Sequence, residues 1–189
     1  ISGGGRCNVT HACWDPSDLA NNYPRGKIEL RGPFSRFAAG DTVQWFADHG
    51  VELVIEKDGR MFPSKNSSSA IVDCLRNAAR SSGVELKKKY LIKSLEYQEP
   101  EGFVIHTILG DDFVAKKVLL ATGSHPTGHK IAASFGHRCF SLAPSLFTLS
   151  LNAQWLFTCT GISIADVEIT LRVGEENFCE KGPLLLTHW

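Results

Sequence analysis

An α/β fold is predicted for these 189 residues from three observations. An amphipathic helical stretch runs from Ser67 to Gly83, short strand-like segments separated by charged or glycine-containing turns follow it, and an apolar segment, Val118–Leu120, then enters Ala121-Thr122-Gly123. Helix, small antiparallel meander and buried strand in that order make an α/β arrangement. Hydrophobic residues make up 43% of the chain, enough to fill the core of one domain of roughly 100 to 200 residues.

Taken in order, residues Gly3 to Gly32 are rich in Gly, Asn, Pro and Asp, with no sustained hydrophobic period, and read as an extended loop. Asp41 to His49 reads as a short helix, with Val43, Phe46 and Ala47 spaced for one face and Gly50 placed to stop it. Val51–Ile55 reads as a strand, and Lys57-Asp58-Gly59-Arg60 as a hairpin-like turn. Ser67, Ser68 and Ser69 offer N-caps to a helix whose buried stripe is Ile71, Cys74, Leu75 and Ala78. Val84–Leu86, Tyr90–Tyr97, Phe103–Ile108, Phe113–Val114 and Val118–Leu120 are short strand candidates. The pattern changes from Pro144 onward. Leu146–Leu151, Trp155–Cys159, Val167–Val173 and Leu184–Thr187 are strand candidates with no helical stripe among them. A boundary near Leu142 therefore separates residues 1–141 from a β-rich module that begins in 142–189.

Lys and Arg total 20 and Asp and Glu total 20, so no overall field exists to hold a polyanion, which argues against nucleic acid as a partner. No apolar run approaches the roughly 18 residues that span a bilayer, so a soluble protein without membrane contact is expected. Cys7, Cys13, Cys74, Cys139, Cys159 and Cys179 are scattered without a C-x-x-C pair and read as thiols in a reducing compartment. The chain opens without Met or a signal-peptide pattern and stops on the apolar run Pro183–Leu186 and its short tail, so it is expected to be an internal piece of a longer protein.

Two segments can carry chemistry. Gly3, Gly4 and Gly5 place three residues without a Cβ beside Arg6, Cys7 and Asn8, so that backbone N–H groups can approach an anion while the guanidinium neutralises it. The bland reading of the same glycines is a flexible turn. Ala121, Thr122 and Gly123 end a buried strand in small residues, where α/β proteins place ligands; the bland reading is a core strand closing in an ordinary turn. Cys7 as a reactive thiol lacks an evident resolving partner, and a packed or cofactor-adjacent cysteine is preferred. His125, His129 and His137 cluster, but Pro126 stands against the i, i+4 geometry of a zinc pair, and no metal is expected.

Ile1-Ser2-Gly3-Gly4-Gly5-Arg6-Cys7-Asn8-Val9-Thr10, Asp58-Gly59-Arg60-Met61-Phe62-Pro63 and Leu119-Leu120-Ala121-Thr122-Gly123 closely resemble three successive blocks of the HI0933-like (BaiN-type) flavoproteins, in the same order. Phe135-Gly136-His137, Pro144-Ser145-Leu146 and Gly182 to Trp189 are similar to later family segments. The resemblance implies a partial Rossmann-like FAD-binding domain with a small β-meander over 1–141, and the start of an inserted β-rich domain over 142–189. It implies that the G-x-G-x-x-G unit precedes Ile1 and that further flavin contacts follow Trp189. Gly3, Gly4, Gly5, Arg6, Cys7 and Asn8 would then line the flavin and pyrophosphate, Ala121, Thr122 and Gly123 would pass close to the dinucleotide, and Ile92 would offer backbone to the adenine. The function so implied is that of an FAD-dependent oxidoreductase acting on a small molecule, with NAD(P)H as an electron donor for the parent protein, no catalytic residue identified, and weak or no FAD binding by this piece alone. The compact Ser124–His129 segment resembles members from photosynthetic lineages, which adds a plastid to the cytoplasm as an expected compartment. Two other readings stay open: a non-redox nucleotide-binding or scaffolding module, and a non-functional truncation.

Overall fold

The computed structural model describes residues 5–143 and 148–187, the Phe157 side chain excepted. Chain contacts divide it into two compact units between Tyr90 and Leu91.

In the first unit, β1 (Thr10–His11) is followed by three helices, α1 (Pro16–Asn21), α2 (Lys27–Phe34) and α3 (Ala39–Asp48), then β2 (Leu53–Ile55), β3 (Arg60–Pro63) and α4 (Ser68–Ser81). The sheet is antiparallel in the order β1-β3-β2, with Thr10 opposite Met61 and Val54 opposite Phe62. The extended loop expected from Gly3 to Gly32 is thus corrected, because it holds a strand, a whole helix and most of another. Local capping makes these helices without a hydrophobic stripe. Asp15 Oδ1 accepts from the Ser17 and Asp18 N–H groups, Pro16 stands where no N–H is needed, and Gly26 takes φ +83° before α2. Only Ala20 of α1 is buried and no residue of α2 is, so no burial pattern marked them in the sequence.

The helix expected at Asp41–His49 forms as α3, with the Asp41 carboxylate accepting from the Ala38 N–H at 2.8 Å and Gly50 at φ +77° past its end. Ser67 caps α4 by accepting from the Ser69 N–H. Of the stripe expected on α4, Ile71 and Cys74 are buried against Phe46, with Cys7, Val9, Trp45, Val51 and Leu53 packed around them. Burial raises the Cys74 thiol pKa. Leu75 departs from the stripe: it is 49% exposed and faces an apolar groove with Phe37, Thr42 and Trp45. Met61 and Pro63 of β3 are the largest fully buried side chains among the described residues.

In the second unit, β4 (Ile92–Gln98), β5 (Gly102–Thr107) and β6 (Asp112–Ala115) form the expected antiparallel meander. Val84–Leu86, which belongs to the first unit, is not a strand: its residues are exposed, the Val84 N–H donates to the Ala79 carbonyl at 2.9 Å, and Glu85 pairs with Lys87 at 2.6 Å. Val118–Leu120 is also not a strand, and Leu119 is 89% exposed. An apolar run of this kind is held in strand form only by neighbours on both sides, and every strand pair among the described residues is antiparallel and made elsewhere. The segment after it, read as a compact loop, holds α5 (Pro126–Ser134), which packs on β4 through buried Ile131, and Phe135 just past its end meets Phe103 of β5 with ring centroids 5.7 Å apart.

Beyond residue 141, the Leu146–Leu151 expectation falls partly on residues 144–147, outside the described residues, and its remainder is not a strand. Trp155–Cys159 lies in a 3-10 helix (Gln154–Cys159) in place of the expected strand, closed by the Thr158 hydroxyl donating to the Trp155 carbonyl. A long hairpin, β7 (Ser163–Val173) with β8 (Glu176–Leu185), contains the Val167–Val173 expectation whole and Leu184–Thr187 in part, and Gly174 at φ +62° turns it.

Candidate functional site

The glycine loop enters the first unit through β1. Gly5 stands at φ +76°, exposed, with open space where a Cβ would project. Gly3 and Gly4 lie outside the described residues. From Gly5 the chain docks on β3: the Val9 N–H donates to the Met61 carbonyl at 2.9 Å and the Ala12 N–H to the Gly59 carbonyl at 2.8 Å. Cys7 turns into the Phe46–Ile71–Cys74 cluster as a packed side chain, and Asn8 is exposed.

Arg6 is held by three partners that reasoning from sequence did not find. Its Nη2 pairs with Glu56 Oε1, its Nε donates to Asn66 Oδ1 at 2.6 Å, and its guanidinium lies 4.0 Å from the centre of the Phe62 ring. Arg60 approaches the same ring at 5.5 Å, reaches the other Glu56 oxygen at 3.6 Å and pairs with Asp58 at 2.7 Å. The backbone N–H of Arg60 foremost holds the Asp58 carboxyl below the usual carboxylate range; partial loss of solvent opposes it, and the Arg60 guanidinium adds to the lowering. A folded-state pKa below the unfolded one stabilises above the unfolded value, and that stabilisation is lost as pH falls through the folded value. The signal for this network was the Asp58–Pro63 block, whose alternating residues put Arg60 and Phe62 on one face of β3.

In the second unit, Ile92 opens β4 opposite Thr107 and is half-buried. Ala121, Thr122 and Gly123 are exposed, and Gly123 has φ +59° with open space beside it. The N-terminus of α5 follows at once, but it keeps its donors for itself. Pro126 has no N–H, the Thr127 N–H goes to His125 Nδ1 at 3.3 Å, and the Gly128 N–H goes to the His125 carbonyl at 3.2 Å. Pro126, read as an obstacle to a helix here, instead starts one. Among the described residues, no group of three or more His, Cys, Asp and Glu could hold a metal ion, and no helix is long and apolar enough to cross a membrane.

Gly128 is what lets α5 meet the corner. A Cβ at this position would stand 1.8 Å from Thr122 Oγ1 and 2.9 Å from Thr122 Cβ. Gly128→Ala is expected to lose about 1 to 3 kcal/mol by overpacking, read as faster hydrogen exchange in α5. Thr122→Ala in the same chain should recover part of the loss; no recovery would mean that the two residues do not press on each other.

Residues 1–173 match the model of the HI0933-like protein Rossmann domain. The chain is 25% identical over 187 residues to a 3-dehydro-bile acid delta(4,6)-reductase of Clostridium scindens, covering 95% of the chain and 44% of that protein. It is 26% identical over 199 residues to a ribosomal RNA dihydrouridine synthase of Escherichia coli, covering 100% of the chain and 47% of that protein. The chain thus spans less than half the length of these relatives. The family match takes in all but the last turn and strand of the hairpin, and by that match the chain belongs to the HI0933-like flavoprotein family, with residues 1–173 part of its Rossmann domain.

Proposed function

We propose that the chain is part of an FAD-dependent oxidoreductase acting on a small molecule, with residues 1–141 in its FAD-binding domain and 142–189 opening an inserted β-rich domain. The family match over 1–173 carries this reading. Gly5 and Gly123 each hold a positive φ beside open space, which is compatible with a ligand lying directly against main chain at either position. Gly3, Gly4, Gly5, Arg6, Cys7 and Asn8 would line the flavin and pyrophosphate side, Ala121, Thr122 and Gly123 would hold the dinucleotide, and Ile92 the adenine. The flavin, when bound, supplies the electron or hydride transfer, and the protein supplies its orientation. None of these residues is assigned a catalytic role.

The relatives' names place a bile acid with one and ribosomal RNA with the other, so membership of the family leaves the substrate open. A small molecule is preferred because the chain's charges balance, at 20 of each sign, whereas RNA binding rests on an excess of Lys and Arg. The scattered spacing of the six cysteines is the ground for the reducing compartment, cytoplasmic or plastid, that this reading includes.

The complete protein containing this chain, purified without added cofactor, should be yellow, release FAD on denaturation and be bleached by NADH or NADPH in the absence of oxygen. Colourless protein that takes up ADP but no flavin would replace the proposal with a non-redox nucleotide-binding module. Tight retention on ribosomal RNA would move the substrate to the second relative's class.

A further inference from the structure

Arg6 was expected to neutralise a ligand phosphate, yet the structure uses its charge internally. Two cations, Arg6 and Arg60, face two anions, Glu56 and Asp58, with Glu56 reaching both arginines. The partners of Arg6 are themselves fixed by main-chain bonds. The Glu56 N–H donates to the Arg60 carbonyl at 2.8 Å, the Asn66 N–H to the Pro63 carbonyl at 2.7 Å, and Phe62 is buried on the sheet opposite Val54. A planar guanidinium that is forked onto a carboxylate and an amide while lying near an aromatic ring has geometric demands that a lysine ammonium cannot meet.

We infer that Glu56 is a positioning residue and Arg6 a strut: together with Phe62 and Asn66 they pin the glycine loop to the β-sheet, so that the loop offers its ligand main chain and no net charge. This rests on the flavin reading above. It differs from that reading in what Arg6 does, because a strut and a phosphate ligand respond oppositely when Glu56 is neutralised. Removing the carboxylate frees a phosphate-binding arginine but unfastens a strut.

The test is FAD titration of the complete, flavin-stripped protein at low and high salt, for the wild type, Arg6→Ala, Glu56→Gln, Glu56→Asp, Asn66→Ala and the Arg6→Ala/Glu56→Gln pair. Hydrogen exchange of the Gly5–Val9 amides is followed alongside, with α4 as the internal control for folding. Arg6→Ala and Glu56→Gln should each weaken FAD binding by about tenfold, and the double variant should be no worse than either, as expected of residues acting through one contact. Glu56→Asp should recover part of the affinity. Asn66→Ala, which strands no charge, should lose less in the same direction. Salt dependence should stay as in the wild type, because a strut releases no counterions from the ligand. Exchange should quicken at Gly5–Val9 and not in α4. Glu56→Gln binding FAD as tightly as the wild type or more so, Arg6→Ala flattening the salt dependence, or loop exchange unchanged in both variants would each overturn the inference while leaving the flavin reading intact. A loop that loosens without any loss of FAD affinity would reduce the network to a structural feature and overturn it too. A wild-type protein that binds no FAD would end both.

Discussion

Phe46→Ala is expected to cost about 3 to 5 kcal/mol, at the upper end for a single core truncation. Phe46 is 6% exposed and joins α3 to α4 through Ile71 and Cys74. Trp45 meets it edge-on with ring centroids 5.0 Å apart, and the Phe46 carbonyl accepts from the Val51 N–H at 2.8 Å where the chain turns toward β2. Removing the ring leaves a space that its neighbours are poorly placed to fill, because Trp45 also stacks on His49 at 4.0 Å and Leu75 lines an apolar groove together with Trp45 and Phe46. Domains of this size hold about 5 to 15 kcal/mol in all, so the loss is a large fraction of the total. Urea unfolding, with exchange of the α4 amides to report on the first unit by itself, would measure it. Phe46→Leu should cost much less, since volume is mostly kept. A loss under about 1 kcal/mol for the alanine variant would show that Phe46 is not the centre of this core.

Most of what the sequence foretold correctly depended on short-range chemistry with a matching burial pattern. Ser67 ahead of Ile71 and Cys74 located α4, Gly50 ended α3, and a short strand-type run between charged and glycine-containing turns, Phe103–Ile108, located the middle strand of the meander. The misses divide into two kinds. Asp15 with Pro16, and His125 with Pro126, start helices by capping alone, and α1, α2 and α5 bury so little that hydrophobic period could not reveal them. Val118–Leu120 is the opposite case: its apolar composition suits a strand flanked on both sides, but composition does not supply the flanking strands. In the candidate site, glycine positions could be read because positive φ favours that residue, and Gly5 and Gly123 both have it. The partners of Arg6 could not be read, since Glu56 and Asn66 lie 50 and 60 positions away and only folding brings them to it.

Gly59→Ala should cost about 2 to 4 kcal/mol, because two independent costs coincide. Gly59 holds φ +83° in the turn between β2 and β3, where its N–H donates to the Glu56 carbonyl at 2.9 Å, and an alanine there takes on left-handed strain of about 1 kcal/mol. The added Cβ would also stand 2.5 Å from both Cε1 and Nε2 of His11. That imidazole cannot simply swing away, since its Nε2 is 3.0 Å from the Asp58 carbonyl and Ala12 beside it donates to the Gly59 carbonyl. Moving the ring therefore pulls β1 from β3, and β1 is the strand that anchors the glycine loop. The two costs separate in a double-mutant cycle. His11→Ala with Gly59→Ala removes the collision and keeps the strain, so the pair should be destabilised by only about 1 kcal/mol beyond His11→Ala alone. A Gly59→Ala penalty that His11→Ala leaves unchanged would place the whole cost in the turn. A penalty that it relieves, together with slower exchange at Gly5–Val9 than in Gly59→Ala alone, would show that the Asp58–Pro63 block governs the glycine loop through His11 as well as through Arg6.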